Sequence, residues 1–294
     1  MNIAEIFNAF SDKMTQISLY QRAVKDLHTR ERKKLYADAR ELEENPDLTG
    51  LAVNMDNMVL RDAKTGTLVL FGQTSRSIKE MELAVALHQN KQYQWLLAEA
   101  YEEFSDFVEM AYASVALDDP NFWPLADYGN ISLADLGSKD WAWHLERARN
   151  KKEVPHSILA QFKRKFPEIG ELAFNNACNA NLDFALTLIE HLRHLIVHKG
   201  GVASDRVKFS KQVLEKAGLF RNGKPSAEHT AIIDGSFGAG EYKNTIALLE
   251  TRQKSLLPLV IEHSPFDTLT GLLMTYAHLI FVTLNAITQQ KQNV

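Results

Sequence analysis

Residues 190–201 read EHLRHLIVHKGG, and what they form decides how the rest of the chain is arranged. Leu192 and Ile196 continue an apolar repeat already carried by Leu172, Leu182, Leu186 and Ile189. That spacing is one face of a helix, so a single long helix is expected over about 169–199. Gly200-Gly201 is its stop, because glycine adopts the left-handed conformation that closes helices. At about 100° per residue, His191, His194 and His198 fall near 0°, 300° and 340°, all on one face, while Arg193 lies near 200°. The crowding admits three readings: a ribonuclease site, a metal site, or a helix end that is merely rich in histidine.

Working outward, the flanking segments are also mostly helical. Residues 2–44 carry Ile3, Phe7, Phe10, Met14, Ile17 and Val24 on one stripe before passing into a mixed-charge run, HTRERKKLYADARELEEN. The run reads as a solvated helix, and the stripe as a candidate dimer contact. Residues 51–72 give the one clear hairpin signal, two β-prone runs flanking DAKTG, with Gly66 at the turn. Ser77 is the expected N-cap of a helix to about Leu117, whose stripe is Leu97, Tyr101, Phe104, Val108, Ala111 and Val115. Glu99, Glu103 and Asp106 share another side of that helix. Turn residues over 118–140 predict a long loop with a short helix, and PHSILAQFKRKFP (155–167) a short basic helix closed by Pro167. Beyond the double glycine we expect a helix near 205–217, a glycine-rich span IIDGSFGAGE, a candidate strand at Ile246–Leu249, and an apolar helix over 267–289. The fold class is therefore mainly α. Residues 1–77 form an N-terminal helical arm with a small β-hairpin, and residues 78–294 a helical bundle with loop insertions.

Composition narrows the function classes. A chain 45% apolar and 24% charged is globular, not disordered. With a net charge of −4, it binds nucleic acid, if at all, through a local basic patch. Lys151-Lys152 and Lys163-Arg164-Lys165 supply one, with Lys199 at the end of the motif helix. Trp141 and Trp143 are readable as base-stacking residues or as local core. Cys178 is the sole cysteine, which excludes an internal disulfide and a cysteine zinc cluster and points to a reducing, cytoplasmic setting. Lying within the expected helix, it reads as a small buried side chain. MNIAEIFNAFSDKM has no signal-peptide pattern. LTGLLMTYAHLIFVTLNAI (269–287) has nearly the length of a membrane span, but its threonines, His278 and Asn285 favour a core helix and no membrane partner.

Of the three readings, the ribonuclease one needs no metal, because arginine and histidine within one and a half turns suit phosphodiester cleavage. Arg193 offers a planar, permanently charged fork that matches phosphate oxygens. His198 sits in the last turn, where orphan carbonyls and the negative end of the helix dipole favour a cation. One histidine can take a proton from a ribose 2′-hydroxyl, or give one to the leaving oxygen, while Arg193 neutralises charge growing on phosphate.

Arg193-His194-Leu-Ile-Val-His198-Lys-Gly-Gly resembles the signature of the HEPN superfamily: an arginine, a polar residue, a few apolar residues, and a histidine at a helix end before glycine. The resemblance spans roughly residues 78–290. It implies a bundle of about four helices, here 78–117, 155–166, 169–199 and 266–289, with the motif on the third. It also implies a metal-independent, cofactor-free endoribonuclease, as in toxin–antitoxin, defence and RNA-processing systems. By resemblance, Arg193 and His198 are the catalytic pair, His194 holds the polar position, and an acid on the first bundle helix supports the site, with Glu103 or Glu99 as the candidate. RNA is then the substrate, with Lys151, Lys152, Lys163, Arg164, Lys165 and Lys199 as its contacts. A homodimer is the implied assembly, and an antitoxin or nucleotidyltransferase the implied partner. Other members keep the bundle as a non-catalytic binding or dimerisation module.

Two rival motifs carry less. Three histidines on one straight helix make a poor cage for a metal ion, and Arg193 opposes a cation. DGSFGAGE (234–241) lacks the Lys-Ser/Thr of a phosphate loop and has no clear strand feeding it, so a plain loop is expected.

Overall fold

The computed structural model describes residues 2–45, 47, 55–221, 224–253 and 261–292. The chain divides into two compact units, Met1–Leu19 with Tyr93–Val294, and Tyr20–Gln92. Helices α1 (Ile3–Glu44) and α2 (Ile78–Asp118) each contribute to both.

In the smaller unit, α1 and α2 are joined by strands β1 (Met55–Arg61) and β2 (Leu68–Ser75), the predicted hairpin. Its turn forms as the DAKTG pattern requires. Asp62 Oδ1 accepts the backbone N–H groups of Lys64 and Thr65, at 2.8 and 2.7 Å, and Gly66 takes φ +72°. Ser77 and Glu80 form a capping box on α2: the Ser77 N–H donates to Glu80 Oε2 at 2.7 Å, and the Glu80 N–H to Ser77 Oγ at 3.4 Å. Hydrogen bonds link His28 to Gln92 and Tyr36 to Glu82, so within this unit the two helices run antiparallel.

The larger unit holds the site. The first turns of α1 bury Ile3, Ile6, Phe10, Met14 and Ile17. Phe7 stacks on Phe281 with centroids 4.4 Å apart, and Phe10 meets Phe104 and Phe107 of α2. This corrects one expectation: the apolar stripe on residues 3–24 is covered over its first half by the chain's own bundle, so that half offers nothing to a second copy. After α2 come two single-turn helices, α3 (Leu125–Tyr128) and α4 (Leu133–Leu136), and then α5 (Trp141–Arg149), started by Asp140, whose side chain accepts from the Trp143 N–H at 2.9 Å. Helix α6 (His156–Lys165) is the predicted basic helix, burying Ile158, Leu159 and Phe162.

The single helix expected over 169–199 is instead two, α7 (Pro167–Phe174) and α8 (Leu182–Lys199). Residues 175–181, NNACNAN, break it. The Asn176 side chain takes over the backbone's partners: its Nδ2 donates to the carbonyls of Leu172 and Ala180, and its Oδ1 accepts from the N–H groups of Cys178 and Ala180. Asn179 adopts φ +51°, and Asn181 caps α8 by accepting the Phe184 N–H at 3.0 Å. Cys178 consequently lies exposed in this turn and is not a buried helix residue.

Then follow α9 (Arg206–Lys216), a two-residue ribbon β3 (Phe220–Arg221) with β4 (Lys224–Pro225), and α10 (Ala227–Gly235), which the sequence reading did not anticipate. Ile246–Leu249 forms no strand, and Ile246 pairs with Phe237 in an isolated bridge. The short pair β5 (Thr251–Gln253) and β6 (Ile261–His263) leads into α11 (Pro265–Gln292). Helix α11 is long and apolar enough to cross a bilayer. Its buried residues Phe266, Leu269, Leu273, Tyr276, Ala277, Ile280 and Leu284 recur every three or four positions, and it packs on α7 and α8.

Candidate functional site

The end of α8 is fixed in place from three directions. Gly201 takes φ +82° and donates its N–H to the Leu195 carbonyl at 2.9 Å, while its own carbonyl accepts from Ile246 N at 2.9 Å. Gln94, buried on α2, lies against Gly201 so closely that a Cβ there would sit 2.3 Å from Oε1, and its amide donates to the Ile246 carbonyl at 2.8 Å. Only glycine leaves room for that side chain. The double glycine therefore both stops the helix and ties its last turn, which bears His198, to the 244–246 segment.

Arg193 projects into a groove of about 740 Å³ between α2, α8 and α9. Its Nη2 lies 2.6 Å from Glu102 Oε1, with the arginine 31% and the glutamate 54% exposed. Its Nε is enclosed and has no hydrogen-bond partner. The acid that meets Arg193 is Glu102, one residue before the expected Glu103. Glu103 pairs with Lys13 at 3.5 Å, and Glu99 is solvent-exposed on α2. One residue along a helix is about 100° of rotation, so neighbouring acids serve different neighbours. Glu102 sits between Tyr101 and Ser105 on the groove side, and no local spacing marks it out from Glu103.

The histidines separate into two kinds. His194 and His198 are exposed and adjacent, with ring centroids 4.7 Å apart. His194 also lines the groove, whereas His198 lies beyond it at the helix end. Desolvation lowers the His194 pKa, and repulsion from His198, Lys199 and Arg193 lowers it further, which favours the neutral ring that can accept a proton. His191 is half-buried. Its Nδ1 faces the Thr187 carbonyl at 2.9 Å and must therefore donate, and burial drives its pKa down. Among the described residues no three His, Cys, Asp or Glu side chains gather in a way that could hold an ion.

Deeper in the groove, Glu190 is held by His156 Nε2 at 2.9 Å and Lys216 Nζ at 2.6 Å. Burial alone would raise its pKa; these two hydrogen bonds outweigh that and bring it down to about 2. Glu190 and Lys216 are thus a fixed ion pair flanking Arg193.

Two cations of the expected basic track are neutralised: Lys151 binds both oxygens of Asp127, at 2.8 and 2.7 Å, and Lys163 pairs with Asp183 at 2.5 Å. Lys165 donates to the Asn121 carbonyl at 2.9 Å, and Lys152, Arg164, Lys165 and Lys199 are exposed. Trp141 and Trp143 begin α5, both partly exposed, with Lys139 6.0 Å from the Trp143 ring centroid. Residues 234–241 run from the last turn of α10 into a 3-10 turn at Gly240–Tyr242; Gly238 donates its N–H to the Thr245 carbonyl at 2.9 Å, and a Cβ there would meet the Tyr242 carbonyl at 2.7 Å. Gly238 thus answers to backbone packing and Gly240 to its φ of +58°.

In chemical terms the site is an arginine fork at an open groove, with one or two titratable rings at its rim and a competing carboxylate against the fork. Comparison with protein-family profiles, curated proteins and solved structures returns no match to this chain.

Proposed function

We propose that the chain is a metal-independent endoribonuclease of HEPN type that cleaves RNA through Arg193, His194 and His198. The observation that carries this reading is the meeting of Arg193 in an open groove with the exposed His194–His198 pair at the same helix end. A phosphodiester bound at Arg193 exchanges the Glu102 carboxylate for its own oxygens. A histidine takes the proton of the ribose 2′-hydroxyl, the 2′-oxygen bonds to phosphorus, and the bond to the 5′-oxygen breaks as that oxygen gains a proton. The products are a 2′,3′-cyclic phosphate and a 5′-hydroxyl. Arg193 and His198 point about 140° apart around α8, so one copy makes half a clamp and a two-fold dimer supplies the rest. Lys152, Arg164, Lys165 and Lys199 are the exposed cations offered to RNA. Residence in the cytoplasm, and service as a toxin or defence ribonuclease with an antitoxin or nucleotidyltransferase partner, belong to the same proposal.

One observation favours a second reading, a non-catalytic interaction module: the 2.6 Å Arg193–Glu102 pair occupies the fork without any substrate. Incubating pure protein with single-stranded RNA in EDTA separates the two. The nuclease reading expects cyclic-phosphate ends, resistance of DNA of the same sequence, and loss of about 10²–10⁴ in rate on Arg193→Ala or His198→Ala with the helical circular-dichroism signal unchanged. Full activity in either variant ends the catalytic assignment. A strict monomer by light scattering ends the composite site.

A further inference from the structure

A second concave site lies along the same helix as the groove. It has a volume of about 260 Å³ and is bordered by Tyr112, Asp127, Arg147, Lys151 and Lys152. Three cations there face one carboxylate, and that carboxylate is fully engaged. Tyr112 donates to Asp127 Oδ2 at 2.5 Å, and Lys151 binds both Asp127 oxygens. Arg147 is anchored at Nε on the Asp127 carbonyl at 3.1 Å, with its terminal nitrogens over Gly129. The charge of Lys151 is spent on Asp127; the charges of Arg147 and Lys152 are not matched by any carboxylate lining the pocket.

The two concavities share their walls. Tyr101 and Ser105 of α2 line the groove and Tyr112 lines the second pocket, while Val154 borders the first and residues 150–152 the second. At about 100° per residue, Tyr101, Ser105, Glu109 and Tyr112 lie within roughly 80° on one face of α2. Glu109, midway, is covered by Arg149 at 3.6 Å. Exposed Asp106 falls about 60° outside that face. Along α2 a polyanion therefore meets no uncovered carboxylate between the two sites, while on the opposite wall the exposed Glu153 stands between Lys152 and Val154. From Tyr101 to Tyr112 is about 16 Å along the axis at 1.5 Å per residue.

We propose that this pocket is a backbone-phosphate subsite for single-stranded RNA, in which Arg147 and Lys152 hold a phosphodiester about three to five nucleotides from the one at Arg193. The inference rests on the endoribonuclease reading and adds the path and direction of the strand. It also moves the RNA-binding surface from α6 to the α5 end and the loop that follows it.

The test uses chimeric oligonucleotides carrying one ribose, at the cleavage position, in an otherwise deoxyribose strand, together with the all-deoxy strand as an uncleavable ligand. Lengthening the chimera on one side should lower KM by about tenfold and level off after roughly five nucleotides. In Arg147→Gln/Lys152→Gln that gain should vanish, so that the longer chimeras are cleaved with the KM of the shortest. For the all-deoxy strand, the salt slope of binding should shallow by about 0.7, because one phosphate is no longer neutralised by the protein. Lys152→Glu, a substitution at an exposed side chain, should reproduce the loss in part should the double variant fold poorly. A length gain or a salt slope that survives in both variants overturns the subsite. Absence of cleavage at every length, with the binding difference intact, sinks the catalytic reading instead and leaves the subsite standing.

Discussion

Substituting the two glycines after α8 separately tests how its last turn is held. Gly200 and Gly201 both have positive φ, +65° and +82°, so an alanine at either costs about 1–2 kcal/mol in backbone strain. At Gly200 nothing lies within 4 Å of an added Cβ, and the cost ends there. At Gly201 the Cβ would fall 2.3 Å from Gln94 Oε1, and Gln94 is only 1% exposed, so it cannot swing into solvent. Displacing it forfeits the hydrogen bond to the Ile246 carbonyl, about 1 kcal/mol. Crowding a close-packed interior adds about 1–3 kcal/mol more. The expectation is a loss of about 1–2 kcal/mol for Gly200→Ala and about 3–6 kcal/mol for Gly201→Ala. Guanidinium unfolding followed by circular dichroism at 222 nm measures both. Equal losses would mean that Gln94 does not hold the helix end, and the packing argument would fail.

Two further expectations concern the charges in the groove. Glu102→Gln removes the carboxylate that competes for Arg193, and an exposed pair of this kind is worth about 0–1 kcal/mol, so an all-deoxy oligonucleotide should bind up to about fivefold tighter. Weaker binding, by fluorescence anisotropy, would show that Glu102 orients Arg193 and does not compete with phosphate. Glu190, brought down to about 2 from an unfolded value near 4.3, favours the folded state fully above pH 4.3 and loses that contribution as pH falls toward 2. Glu190→Gln should thus cost about 2–3 kcal/mol at pH 7 in urea unfolding, with the gap to wild type narrowing through that acid window. A gap independent of pH would refute the assignment.

What was legible in the sequence was local. The DAKTG turn, the Ser77–Glu80 box, the basic helix before Pro167 and the glycine stop each depend on residues a few positions apart, and each formed as read. The break at 175–181 was also local but was overridden by the apolar repeat, because Leu172 and Leu182 keep helical spacing across it. Four asparagines in seven residues, whose amides compete with the backbone, were the signal to weigh more heavily. The remaining differences are non-local. Which acid meets Arg193, and that Asp127 and Asp183 neutralise Lys151 and Lys163, depend on helices brought together from distant parts of the chain. Likewise, whether the stripe beginning at Ile3 faces a partner or its own core is set by where α11 lies.

The turn between α7 and α8 leaves the chain's single thiol in solvent. Cys178 stands before the first turn of α8, and the 18-residue helix separates it from His198 by about 27 Å. A nitroxide attached there is one per chain and distant from the reacting end. Dipolar coupling between nitroxides then reports assembly directly: two-fold pairing yields one narrow distance, head-to-tail stacking a ladder of them, and an isolated chain no coupling at all. Because the helix carries the label at one end and the motif at the other, that distance also says whether the two motif ends converge or diverge.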